Sequence, residues 1–142
     1  MSPYRSLDRF YYPQAQSYSA ALCEIQLGRK RTHWMWYIFP QLRGLGHSRL
    51  AMFYGIADID EAQAYLADPV LGPRLLEISR ALLDLPTNDP LAVLGSPDNL
   101  KLRSCMTLFR EADPTQPVFQ AVLDKFYGSE PCHRTLAMLQ HD

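Results

Sequence analysis

The sequence predicts an all-α fold. Three observations carry the prediction. Apolar residues recur at helical spacing in several segments, most prolines fall where those segments begin or end, and only residues 33–39 have the look of a strand. A lone strand would leave buried backbone N–H and C=O groups unpaired. His33–Phe39 (His-Trp-Met-Trp-Tyr-Ile-Phe) therefore reads as a short helical or irregular buried segment. The expectation is one compact domain over residues 1–142, about six to eight helices with no substantial sheet.

The elements follow in order. Gln14 to Leu27 carries an apolar stripe of Tyr18, Ala21, Leu22 and Ile25, with Gly28 as a stop. Asp60 to Ala67 reads as a short helix capped by Asp60. Leu71, Leu75, Ile78, Leu82 and Leu85 then mark the clearest helix, starting at Pro69 or Pro73 behind Asp68 and ending before Pro86. Ser96-Pro97-Asp98 signals another start, with Ser96 as cap, and that helix runs to about Ala112, before Pro114. Val118, Val122 and Phe126 stack along Pro117 to Tyr127, which Gly128 ends. A last short helix spans Cys132 to Leu139 around Leu136 and Leu139.

Bulk properties narrow the function classes. The chain has 142 residues, 47% hydrophobic and 20% charged, and its formal net charge is −1. A near-neutral chain argues against a general nucleic-acid binder, which carries a basic excess. Three cysteines with no C-x-x-C spacing favour reduced thiols and a cytoplasmic setting over a disulfide framework. Residues 1–12 lack the apolar core of a signal peptide, and no stretch approaches the roughly 18 apolar residues of a membrane span.

Two segments carry candidate chemistry. The first is Gly28 to Ser48. Arg29, Lys30 and Arg31 precede His33, then Trp34, Trp36, Gln41 and the turn Gly44-Leu45-Gly46-His47-Ser48. Aromatic faces beside cations suit a planar anion such as a nucleotide, with rings on the base and cations on the phosphates. The same aromatics also suit a core plug. His33 is the candidate catalytic acid or base, because histidine titrates near neutrality; a satisfied half-buried histidine fits equally. The glycine turn lacks the dinucleotide and P-loop patterns and reads as a tight turn.

The second segment is Ser96 to Phe109. At about 100° per residue, Leu102, Cys105, Leu108, Phe109 and Ala112 form an apolar stripe. Lys101 falls inside that stripe and Arg103 opposite. Lys101 either pairs with Asp98 at the stripe's edge or points into a cleft beside Ser104 and Thr107. The four histidines show no metal-ligand spacing, no G-x-S-x-G elbow is present, and Cys105 on the apolar stripe belongs to the core. No cofactor or metal is expected.

At Ala15-Gln16, Gly28-Arg29-Lys30, His33-Trp34-Met35-Trp36-Tyr37-Ile38-Phe39-Pro40-Gln41, Gly44-Leu45-Gly46, Pro97-Asp98, Lys101-Leu102-Arg103-Ser104 and Met106-Thr107-Leu108-Phe109, the chain resembles the bacterial family of domain of unknown function 1810. The resemblance covers nearly the whole chain. It implies an all-helical fold and no particular activity. In the family that it resembles, the pattern usually has Ser where Thr32 and Cys105 stand.

The residues together point first to a pocket for a small, planar, nucleotide-like anion. His33 would transfer a proton, Lys30 and Lys101 would meet charge, Trp34 or Trp36 would stack, and Gln41, Ser104 and Thr107 would complete the wall. A non-catalytic protein-contact module is the alternative, and single-stranded nucleic-acid binding a third.

Overall fold

The computed structural model describes residues 7–140. Within them lie nine α-helices: α1 (Asp8–Gln26), α2 (Met35–Ile38), α3 (Arg49–Tyr54), α4 (Ile59–Ala67), α5 (Leu71–Leu83), α6 (Pro90–Leu94), α7 (Asp98–Ala112), α8 (Pro117–Tyr127) and α9 (His133–Gln140). The fold is all-α, as the periodicity predicts. No strand occurs among the described residues, where Leu42 and Ile56 form an isolated parallel bridge. The strand-like segment at residues 33–39 is the single turn of α2 and its flanks.

Several boundaries differ from the sequence reading, each for a local reason. Helix α1 begins at Asp8, well before Gln14, and runs through Pro13. The lost backbone donor is tolerated because the first turns are held by tertiary contacts. Phe10 is buried, and Arg9 donates to the Glu61 carboxylate of α4 at 2.9 Å and to the Gly55 carbonyl at 2.8 Å. The cap of α4 is Asp58, whose side chain accepts from the Glu61 N–H at 2.8 Å; Asp60 sits in the first turn. Asp68 accepts from the Val70 and Leu71 N–H groups, so α5 starts at Leu71 with Pro73 inside its first turn. Leu85 lies beyond its end. Ser96 does not cap α7: Pro97 occupies that position, after a cis peptide, and the Asn99 N–H reaches back to the Gly95 carbonyl at 2.8 Å. The short helices α3 and α6 have no counterpart in the sequence reading.

Helix α7 lies at the centre and packs against α4, α6, α8 and α9. Leu102, Cys105, Leu108, Phe109 and Ala112 are all buried, as the helical wheel predicts. Ser104, Met106 and Thr107 are buried as well, so α7 is covered on most sides, and its first turns and Glu111 near its end reach the surface. Helices α4 and α5 approach each other closely at Gly72. A Cβ there would come within 2.1 Å of the Leu66 carbonyl oxygen, which is why a residue without a side chain stands at that point. No helix of the described residues is long and apolar enough to cross a membrane.

Candidate functional site

The site begins with a buried carboxylate. Glu24, near the end of α1, accepts from the backbone N–H groups of Arg31 (2.6 Å) and Thr32 (3.0 Å), from the Thr32 hydroxyl (2.6 Å) and from the Trp34 indole N–H (2.9 Å). Burial pushes its pKa up, but the hydrogen bonds from Thr32, Arg31 and Trp34 outweigh that and hold it at about 2. The ionised Glu24 therefore fixes the path of residues 31–34. Thr32 supplies the hydroxyl donor of this set.

This arrangement separates the two tryptophans. Trp34 is 1% exposed, with its ring in the core against Phe39 and its indole N–H on Glu24. It presents no stacking face to a ligand, and of the two readings offered for it the core plug is the one the structure places there. Trp36 is half-buried and lines a cleft of about 350 Å³ with Lys30, His33, Leu94, Asp98 and Lys101.

The two candidate segments thus meet. Lys30 Nζ lies 3.1 Å from an Asp98 carboxylate oxygen, and Lys101 Nζ lies 3.8 Å from the other. The expected Asp98–Lys101 contact is present, but Asp98 is shared between two lysines. Each ammonium also faces an indole, Lys30 over Trp34 at 5.2 Å and Lys101 over Trp36 at 5.7 Å. The Lys30 N–H is bonded to the Val93 carbonyl at 2.7 Å, which ties this loop to α6. His33 stands exposed at the cleft's edge, with no side-chain hydrogen bond among the described residues to fix its ring.

Gln41 and Ser104 belong to a second cavity, of about 280 Å³, bordered also by Gly46, Pro97, Lys101, Arg103, Cys132 and Arg134. Pro97 and Lys101 line both hollows, which lie side by side and together make up one crevice region. Thr107 lines neither. It is fully buried, donates to the Arg103 carbonyl at 2.8 Å and accepts from the Cys132 N–H at 2.9 Å, so its work is to hold the start of α9 against α7. The glycine turn is a tight turn: Gly44 has φ +106°, a conformation L side chains rarely adopt.

Three residues at this crevice were absent from the sequence expectation: Arg103, Cys132 and Arg134. Arg103 lay on the far side of the helical wheel from the Lys101 stripe, and nothing in the chain's spacing links α9 to Gln41. Ser104 Oγ lies 3.3 Å from Cys132 Sγ. Burial raises the Cys132 thiol pKa, but the Ser104 hydroxyl and the N–H groups opening α9 bring it below the ordinary range. Cys105, by contrast, is sealed in the core, where burial pushes its thiol well up. No group of three or more His, Cys, Asp or Glu side chains among the described residues is placed to hold a metal ion.

Fold and crevice together define an all-helical protein with a cation-lined hollow at the exposed end of its central helix. The chain belongs to the DUF1810 family, described as a protein of unknown function, whose model matches residues 4–139. It is similar to the conserved hypothetical protein Rv1873 from Mycobacterium tuberculosis, known from a crystal structure at 1.38 Å, with 47% sequence identity and a TM-score of 0.95 over 98% of this chain and 99% of that one. No curated protein matches it.

Proposed function

We propose that the chain binds a small anionic ligand with a planar, nucleotide-like group in the cleft between α2 and the first turns of α7. The observation that carries this reading is the convergence of Lys30 and Lys101 on the single carboxylate of Asp98, beside the half-buried ring of Trp36. Two cations against one carboxylate leave a positive excess, and an indole in the same wall gives a planar group a surface. Trp36 is the stacking face and Lys101 the charge contact. His33, at the rim, is the group placed to move a proton if the bound molecule reacts. One domain in a cytoplasmic setting belongs to the same proposal; its support is a single apolar core and three thiols that form no disulfide.

A thermal-shift panel of AMP, ADP, NAD and ADP-ribose tests the reading. Ligand at a hundredfold excess over its Kd adds about 2.7 kcal/mol of stability. The expected result is a raised Tm with at least one compound, abolished in Trp36→Ala and Lys101→Met proteins that remain folded. No shift across the panel overturns it.

A protein-contact module is the second reading, and α3 is what favours it: Leu50, Met52 and Phe53 are exposed and no residue of that helix is buried. A partner protein whose capture is lost on Phe53→Ala, with no shift in the nucleotide panel, selects this reading instead.

A further inference from the structure

The second cavity has a charge pattern the planar-ligand reading does not use. Lys101, Arg103 and Arg134 line it, and no Asp or Glu does. The nearby carboxylate, Asp98, is already engaged by Lys30 and Lys101. Arg103 and Arg134 have no carboxylate within ion-pair distance among the described residues. Arg103 lies over the Tyr127 ring at 5.8 Å, and its Nε is out of solvent with no acceptor. A guanidinium partly stripped of water and left without an anion is costly, and a bound anion would offset that cost. In a chain whose formal net charge is −1, such a gathering of cations is segregation rather than average composition.

We propose that this cavity is a seat for a phosphate or diphosphate group carried by a small molecule. Two guanidinium forks, an ammonium and the Gln41 amide offer more donors than one carboxylate has lone pairs to fill, and they match the several oxygens of a phosphate. The cations ring a hollow of about 280 Å³ instead of tracking a long groove, which fits a terminal phosphate and not a polynucleotide backbone. The seat stands on its own geometry. It adjoins the Trp36 cleft at Pro97 and Lys101, and the extension to one ligand that spans both alone rests on the planar-ligand reading.

The probe is pyrophosphate, titrated calorimetrically into the full chain at low ionic strength against an ionic-strength-matched chloride control. Cys132 serves as an internal reporter, because it borders the cavity while the exposed Cys23 does not. Pyrophosphate should bind, and Arg103→Met and Arg134→Met should each weaken it about tenfold or more, the scale of one charge-assisted hydrogen bond. Saturating pyrophosphate should slow iodoacetate alkylation of Cys132 at least tenfold, read by mass spectrometry, and leave Cys23 unaffected. Arg134 is exposed and makes no side-chain hydrogen bond among the described residues, so its variant remains informative if Arg103→Met fails to fold. The proposal is overturned by an absence of pyrophosphate binding to the unmodified chain, by Arg134→Met binding as tightly as the parent, or by a single-stranded oligonucleotide that binds more tightly than pyrophosphate. Pyrophosphate has no planar group, so a failure here and a failure in the nucleotide panel are separate results.

Discussion

Trp34 and Trp36 stand two positions apart and do opposite things. Trp34 stands just before α2 with φ −138° and Trp36 within its single turn, and only one of them, Trp36, reaches the cleft. Which one does so is decided by Glu24, a partner the local motif does not contain. Trp34→Phe removes an indole hydrogen bond to a buried carboxylate and should cost about 2–3 kcal/mol in urea unfolding without touching ligand binding. Trp36→Ala should do the reverse. Glu24 itself sets a pH signature. Its folded-state pKa of about 2 lies below the usual 4.5, so its contribution is complete above 4.5 and fades as pH falls toward 2. At pH 7 Glu24→Gln should therefore cost about 3 kcal/mol, at 1.36 kcal/mol per pKa unit. The gap between parent and variant should close as pH drops through that window; a gap constant from pH 7 to pH 2 would mean that ionised Glu24 does not organise the loop.

At the scale of the element, helices of eight residues or more were legible, and α3 and α6 were not. Helices α5, α7 and α8 carry enough turns for their stripes to repeat. Helix α6 has five residues and α3 has six with none buried, so neither displays a period. The start of α1 was hidden by Pro13, a breaker signal overridden by Arg9 and Phe10. The contact of α4 with α5 offers a test by sign. An Ala in place of Gly normally favours a helix by about 1 kcal/mol. At Gly72 the added methyl meets the Leu66 backbone, so Gly72→Ala should instead destabilise by about 1–3 kcal/mol, the usual cost of overpacking. A raised melting temperature would contradict the close approach.

At the scale of the molecule, the crevice is assembled from the residue 28–36 segment, the loop at Gln41–Gly46, the first turns of α7 and the start of α9. The first three were legible as unusual composition: polar and cationic groups in stretches whose apolar residues already account for packing. Their meeting was an inference, and the geometry brings Lys30, His33, Trp36 and Lys101 to one cleft. Arg134 and Cys132 were illegible because a charged residue opening a short terminal helix looks like any solvated one until the fold sets it beside Arg103.

Two of the charge contacts of this crevice, Lys101 and Arg103, sit on α7, the helix most enclosed by its neighbours. Local opening needs few buried contacts, and α7 has many beyond its first turns. Its amides should therefore exchange with deuterium only when the whole chain unfolds, while those of exposed α3 exchange through local opening. A ligand at a hundredfold excess over its Kd should slow the α7 amides by roughly the same hundredfold factor, uniformly along the helix, and leave α3 unchanged. Slowing confined to the residues that touch the ligand would show instead that the crevice opens as a unit of its own.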